Sequence, residues 1–264
     1  RVTLFADLGA YRGTLLPLKA SGHTFAAEVD KQPSTWENLE MRIDERSHSL
    51  HDLLRLGVHV GDFIAVDPQP DIMENGFIVS RHLDDKAGVA VLLGAMKAVI
   101  DSGAELPVDC HPLFTISEEV GSGASAVLHG DVSEMLTLDN GTTAPGQNSS
   151  EYGVTICMAD MSGPFDYHLT HRMLQICQEF EIPHQRDIFR YYRSDSAAAV
   201  EAGNDLRTAL ATFGVDASHG WERIHWNALE SLAQLVAVYM QSPPLFERDR
   251  VNTGPPATSP VTTP

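Results

Sequence analysis

Four places in this 264-residue chain set acids or an imidazole where a regular element starts or ends: Asp84-Asp85, Glu118-Glu119, Asp139 and His219. Asp84-Asp85 follow a strand-like approach and open a helical pattern. Glu118-Glu119 close the run Leu113–Ser117, and Asp139 closes Met135–Leu138. His219 lies just past the run Leu206–Phe213 and before the last helical segment. Taken singly, each has an ordinary structural reading: an N-cap pair, an exposed acidic loop, an Asp-Asn-Gly turn, a helix cap. Together they would converge on one edge of a sheet, where ligands of open α/β folds gather at the carboxyl ends of strands. Acids held so close repel one another and raise one another's pKa. A pair of divalent cations resolves that conflict, and a carboxylate–imidazole donor set suits zinc, with cobalt or manganese as alternatives. Two such ions about 3.5–4 Å apart, bridged by a carboxylate and a water, form a hydrolytic centre.

The elements that must position these groups fall into two blocks. Residues 1–80 read as short strands and turns: Val2–Ala6, Gly13–Leu18, Leu39–Ile43, Phe63–Asp67 and Gly76–Ser80 are alternating or β-rich, and one short helix near Leu50–Leu56 stops at Gly57. The expected structure is a small β-barrel or β-sandwich module. From residue 81 the pattern turns to alternating helices and strands. Helices are expected at 85–100, 122–128, 166–180, 196–202 and 221–240. Strands are expected at 108–117, 135–139, 153–160, 185–189 and 206–213. That alternation predicts the α/β class, with a mixed sheet and helices on both faces. Residues 241–264 are rich in Pro and Thr, too poor in apolar groups to offset the entropy of ordering, and are expected to be disordered.

Composition narrows the function. A formal net charge of −18 argues against nucleic acid and anionic membranes, whose binding needs a basic face. It fits a soluble, cytoplasmic enzyme, with part of the acid surplus placed to hold cations. Cys110, Cys157 and Cys177 show no CxxC or Cys–His spacing, so neither disulfides nor a structural zinc knot is expected. The longest uncharged apolar stretch, Ala87 to Met96, is about half the ~20 residues a membrane span requires. No basic segment followed by a hydrophobic core opens the chain. It begins at Arg1, directly in a strand-like run, from which further sequence upstream is expected.

Two motifs add a resemblance. Arg81-His-Leu-Asp84-Asp85-Lys-Ala-Gly88 resembles the LDDRxG segment of the tetrahedral and glutamyl-aminopeptidase family, and Phe114-Thr-Ile-Ser-Glu118-Glu119-Val-Gly121 resembles its TxxEEVG segment. Leu138-Asp139 and Asp216-Ala-Ser-His219-Gly-Trp-Glu222-Arg occupy the places of its remaining ligands. The likeness covers nearly all of residues 1–240. The last stretch, with Asp166-Tyr-His-Leu-Thr-His171, is most similar to a bacterial subgroup associated with the osmoprotectant N-acetylglutaminylglutamine amide.

The resemblance implies a zinc-exopeptidase-like fold and a set of roles. Asp84 would bridge two metals and Asp85 would orient it, through a cis peptide between them. Glu118 would be the general base. Glu119 and His219 would complete one metal site and Asp139 the other. Arg193-Ser-Asp195 stands where the family carries a substrate-side TDA-like segment, which makes Arg193 and Asp195 candidate pocket contacts, alternatively a helix cap. A peptide or small amide would be the substrate, and homo-oligomers would form through the β-rich module. The family's first ligand, a histidine in an HxD segment, has no counterpart before Asp84; His23, His48, His51 and His59 lack that context. One site would then be complete and the other reduced to Asp84 and Asp139. Three functions remain open at this point: an aminopeptidase, an N-acyl dipeptide or amide hydrolase of an osmolyte pathway, and a catalytically impaired metal-binding assembly protein.

Overall fold

The computed structural model describes residues 1–126 and 128–250. Two compact units divide between Gln69 and Pro70.

The first unit comprises β1 (Val2–Ala6), β2 (Gly9–Pro17), α1 (Gly22–Phe25), β3 (Leu39–Ile43), α2 (Leu50–Arg55) and β4 (Phe63–Val66). The strands form one antiparallel sheet in the order β3-β2-β1-β4. Alternation along β1 buries Val2 and Leu4 and leaves Phe5 in solvent. Ser49 caps α2, its side chain accepting the Asp52 N–H. The expected barrel is not seen: among the described residues β3 and β4 are both edges, so the sheet is open.

The second unit comprises β5 (Asp71–Ile72), β6 (Phe77–Ser80), α3 (Leu83–Ser102), β7 (Glu134–Thr142), β8 (Val154–Asp160), β9 (Gly163–Pro164), α4 (Tyr167–Glu179), β10 (His184–Ile188), α5 (Asp195–Glu201), β11 (Arg207–Val215), β12 (Glu222–His225) and α6 (Trp226–Met240). Its main sheet runs β10-β8-β11-β7, with β9 appended to β8. Pairing is parallel at β10–β8 and β11–β7 and antiparallel at β11–β8, so the sheet is mixed. Period-two alternation sends Ala209, Ala211, Phe213 and Val215 of β11, with Val154 and Ile156 of β8, into the main core. There they meet the apolar stripes of α3 (Ala87, Val91, Ala95), α4 (Leu169, Met173, Ile176) and α6 (Ala228, Leu232, Leu235). Residues of β7 that point the other way meet α5, where Thr137 and Ser196 share a 2.7 Å hydroxyl–hydroxyl hydrogen bond.

Residues 71–80 were expected in the β-rich block, yet β6 finds its backbone partner in β12, with Ser80 opposite Glu222. A strand belongs to whichever segment satisfies its N–H and C=O groups, and that partner is far along the chain. For the same reason 222–225 is a strand, and the last helix starts at Trp226 instead of residue 221.

The strand expected over 108–117 is absent. Pro107 and Pro112 remove ladder donors there, and Ile116 is almost fully exposed. Residues 118–120 and 123–125 form single tight turns in place of the expected helix.

Residues 241–250, expected to be disordered, are tied to the domain. Glu134 accepts the Leu245 N–H at 2.6 Å, and Arg207 pairs with Asp249 at 2.6 Å while lying over the Phe246 ring. The rest of the expected disordered tail, 251–264, lies outside the described residues. No helix among the described residues is long and apolar enough to cross a membrane.

Candidate metal centre

Asp84 and Asp85 interrupt the first turn of α3: their backbones leave helical geometry (ψ 106° and 34°), and the peptide bond between them is cis. Regular helix follows from there to the left-handed Gly103 cap. Gly88, one turn on, is required by Asp85, because a Cβ there would collide with both Asp85 carboxylate oxygens. Glu118 and Glu119 sit in the tight turn after Ser117. Asp139 lies inside β7, which runs on to Thr142, instead of at a strand end. His219 lies in the connection from β11 to β12 with φ of 64°, in the left-handed region.

Two groups of donors result. In the first, His219 Nε2 is 3.3 Å from Asp84 Oδ2 and 3.4 Å from Glu119 Oε2. Ligand atoms of Asp84, Glu119 and His219 all lie within 4.8 Å of one another, and so do those of Asp84, Asp85 and Asp139. Asp84 is common to both. The first group opens to solvent: the His219 side chain is 73% exposed and Glu119 53%, against 5% for Asp84. In the second, Asp139 is buried and accepts the Asn140 N–H at 2.6 Å, while Asp85 Oδ1 is buried with no hydrogen-bond partner.

The electrostatics follow from this crowding. Burial, and then the Glu119 charge, push Asp84 up to about 6. Burial and the neighbouring Asp139 raise Asp85 well above the carboxylate range, and burial and Asp84 do the same to Asp139. Glu118 belongs to neither group but lies near both. Burial, then Asp195, Glu119 and Asp84, push it up to about 7.

The two residues of the TDA-like segment go separate ways. Arg193 pairs with Glu201 at 2.6 Å and is not among the clustered acids. Asp195 is buried at the start of α5 and braces the acidic turn from both sides: it accepts the Thr115 hydroxyl at 2.6 Å and the Ala124 N–H at 2.8 Å. Gly123 is needed for this approach, since a Cβ there would strike the Asp195 carboxylate.

Reasoning from sequence missed two neighbours. Tyr192 is partly buried with its hydroxyl enclosed, that hydroxyl has no partner of normal geometry, and burial and then Asp139 raise its pKa far above that of a free phenol. Nothing in the local sequence marks it. Glu222 was legible as part of the stretch after His219 but carried no role.

A sequence model of the M42 glutamyl aminopeptidase family matches residues 1–235. The chain belongs to this family. A relative agrees: "Putative aminopeptidase YhfE" of Bacillus subtilis (strain 168) is 40% identical over 233 residues, 88% of this chain and 67% of that protein. The M42-like fold recurs in a TET aminopeptidase from a marine sediment archaeon of the Thaumarchaeota (TM-score 0.75, 19% identity, 91% of this chain and 70% of that one). It recurs also in the Pyrococcus horikoshii TET1 peptidase, described as assembling into a tetrahedron or a large octahedral shell (TM-score 0.72, 23% identity, 90% and 71%). This M42 protein is thus a hydrolase of the aminopeptidase type.

Proposed function

We propose that the chain removes amino-terminal residues from peptides at a two-cation centre, with Glu118 moving the proton. The donor chemistry fits the cations: carboxylates and one imidazole converge, Asp85 keeps a buried oxygen without a partner, and the raised pKa values mark charge awaiting neutralisation. Asp84 would bridge, Glu119 and His219 would hold one ion, and Asp139 would hold the other with Asp85 fixing Asp84. Zinc suits this set, with cobalt and manganese as alternatives. Bound there, divalent cations polarise the scissile carbonyl and lower the pKa of water to about 7.

The observation that carries the reading is the place of Glu118, adjacent to both acid groups and a member of neither. A carboxylate beside the site that is not itself a ligand is free to accept and release a proton. Glu118 takes a proton from the attacking water as its oxygen bonds to the carbonyl carbon. It then delivers that proton to the departing amine nitrogen as the C–N bond breaks. Asp195, clamped to Thr115 and Ala124, keeps the turn that carries Glu118 in place.

Glu118→Gln is expected to lower kcat by about 10²–10⁴ while zinc uptake stays at the wild-type level. Full turnover in this variant would remove Glu118 from the role. Running free-amine and N-acetylated dipeptides side by side fixes the substrate class, and preference for the acetylated one would favour the osmolyte-amide reading. We further propose a homo-oligomer formed through residues 1–69, where Trp36, Val60 and Phe63 are largely exposed. Sedimentation at a monomer's mass over a wide concentration range would rule it out.

A further inference from the structure

Asp84 and His219 are remote in sequence, and something must hold their backbones at the separation their side chains need. Glu222 meets both. It is 1% exposed, at the first position of β12 and directly opposite Ser80 of β6. Its Oε2 accepts the N–H of Leu83 at 2.6 Å and of Asp84 at 3.1 Å. Its Oε1 accepts the N–H of His219 at 3.0 Å. Both oxygens are therefore committed to the two segments that carry candidate ligands. Those segments also hold unusual backbone: His82, Ala217 and His219 have φ of 63°, 56° and 64°. Side-chain-bearing residues keep such left-handed geometry only where the surroundings fix it. A buried carboxylate accepting three backbone N–H groups is such a fixture, and β-pairing sets where it sits.

We propose that Glu222 is a positioning residue that presets Asp84 and His219 for a shared cation by bridging their backbones. This rests on reading Asp84, Glu119 and His219 as cation ligands. Glu222→Gln keeps the shape but replaces one acceptor oxygen with an NH₂ group facing N–H donors, so one of the two segments is released.

The test measures Zn²⁺ affinity of the whole chain by competition with a chromophoric chelator, and the visible spectrum of the Co²⁺ form. Both are read well below the melting point of each metal-free protein. Glu222→Gln is expected to bind Zn²⁺ about 10–100-fold more weakly, the usual effect of a group supporting a ligand, and to shift the Co²⁺ spectrum. Unchanged affinity and spectrum beside a lowered melting point would overturn the proposal and leave Glu222 a purely structural residue. His219→Ala is the control. If it binds Zn²⁺ as the wild type does, or the wild type binds none, the ligand reading fails and not the role of Glu222 alone. Should Glu222→Gln fail to fold, amide exchange in the metal-free wild type decides. Leu83, Asp84 and His219 are expected to be protected before any metal is added, and exchange at the rate of open turn amides would overturn the bridge.

Discussion

Asp84 takes part in two groups of side chains, one at the surface with Glu119 and His219 and one buried with Asp85 and Asp139, and the two differ in how their charge is balanced. The surface group contains an imidazole and faces water, which screens Glu119, while Asp84 is only 5% exposed. The buried group contains only acids, and within it Asp139 accepts the Asn140 backbone N–H. The first can exist as an open, hydrated cluster; the second is under electrostatic tension until protons or a cation relieve it. One molecule therefore carries two clusters of candidate donors, one around an exposed imidazole and one buried at the cost of raised pKa values.

The comparison is open to attack through each group. His219→Ala removes the imidazole and is expected to weaken Zn²⁺ binding at the surface group by at least about 100-fold, beyond the effect of supporting residues. Calorimetry should then show one class of site lost. Loss of both at once would mean that the two groups act as a single site through Asp84.

Thr115→Val tests the turn that carries Glu119 of the surface group together with Glu118. It deletes one hydrogen bond to the Asp195 carboxylate and is expected to cost about 1.5–3 kcal/mol in chemical denaturation, with a smaller fall in turnover than Glu118→Gln. Unaltered stability would show that Asp195 does not brace the turn.

The smallest effect is expected in the buried group. Asp139→Asn removes a like charge beside Asp85 and should stabilise the metal-free protein at pH 8 by on the order of 1 kcal/mol, about 2–4 °C in melting temperature at this chain length. A lower melting point would mean that the group is not under tension.

The pH dependence of the metal-free wild type follows the same logic. Below about pH 4 the carboxyls are protonated whether the chain is folded or not. As pH rises through about 6 for Asp84 and about 7 for Glu118, the folded chain retains protons that the unfolded chain has released. Stability contributed by these groups is thus fully present at low pH and lost across that window. Melting curves from pH 4 to 8 should fall accordingly, and saturating Zn²⁺ should flatten them.

Much of this was readable in advance, for identifiable reasons. Helices α3, α4 and α6 repeat apolar residues at helical spacing, and strands β7, β8 and β11 are compact β-rich runs between turn signals. Local pattern and burial agree in these elements. The acids Asp84, Asp85, Glu118, Glu119 and Asp139 were legible as paired or strand-associated carboxylates, and His219 from its place beside the last helix. Residues 108–117 were misread because β-rich composition says nothing about whether a partner strand exists, and because the two prolines weigh against a ladder. Residues 71–80 were assigned to the wrong block since the partner of β6 lies at 222–225. Residues 241–250 were read as free because Pro and Thr hide the anchors Leu245, Phe246 and Asp249.

The sequence by itself determined the class of fold, the family and the types of donor available, because these depend on residue chemistry and short-range periodicity. Only the tertiary structure decided that Asp84 is shared, that Arg193 turns to Glu201 while Asp195 braces the acidic turn, and that Tyr192 and Glu222 stand beside the centre. Those facts depend on which distant backbones share hydrogen bonds and which side chains are buried together, and neither is a property of any local stretch of chain.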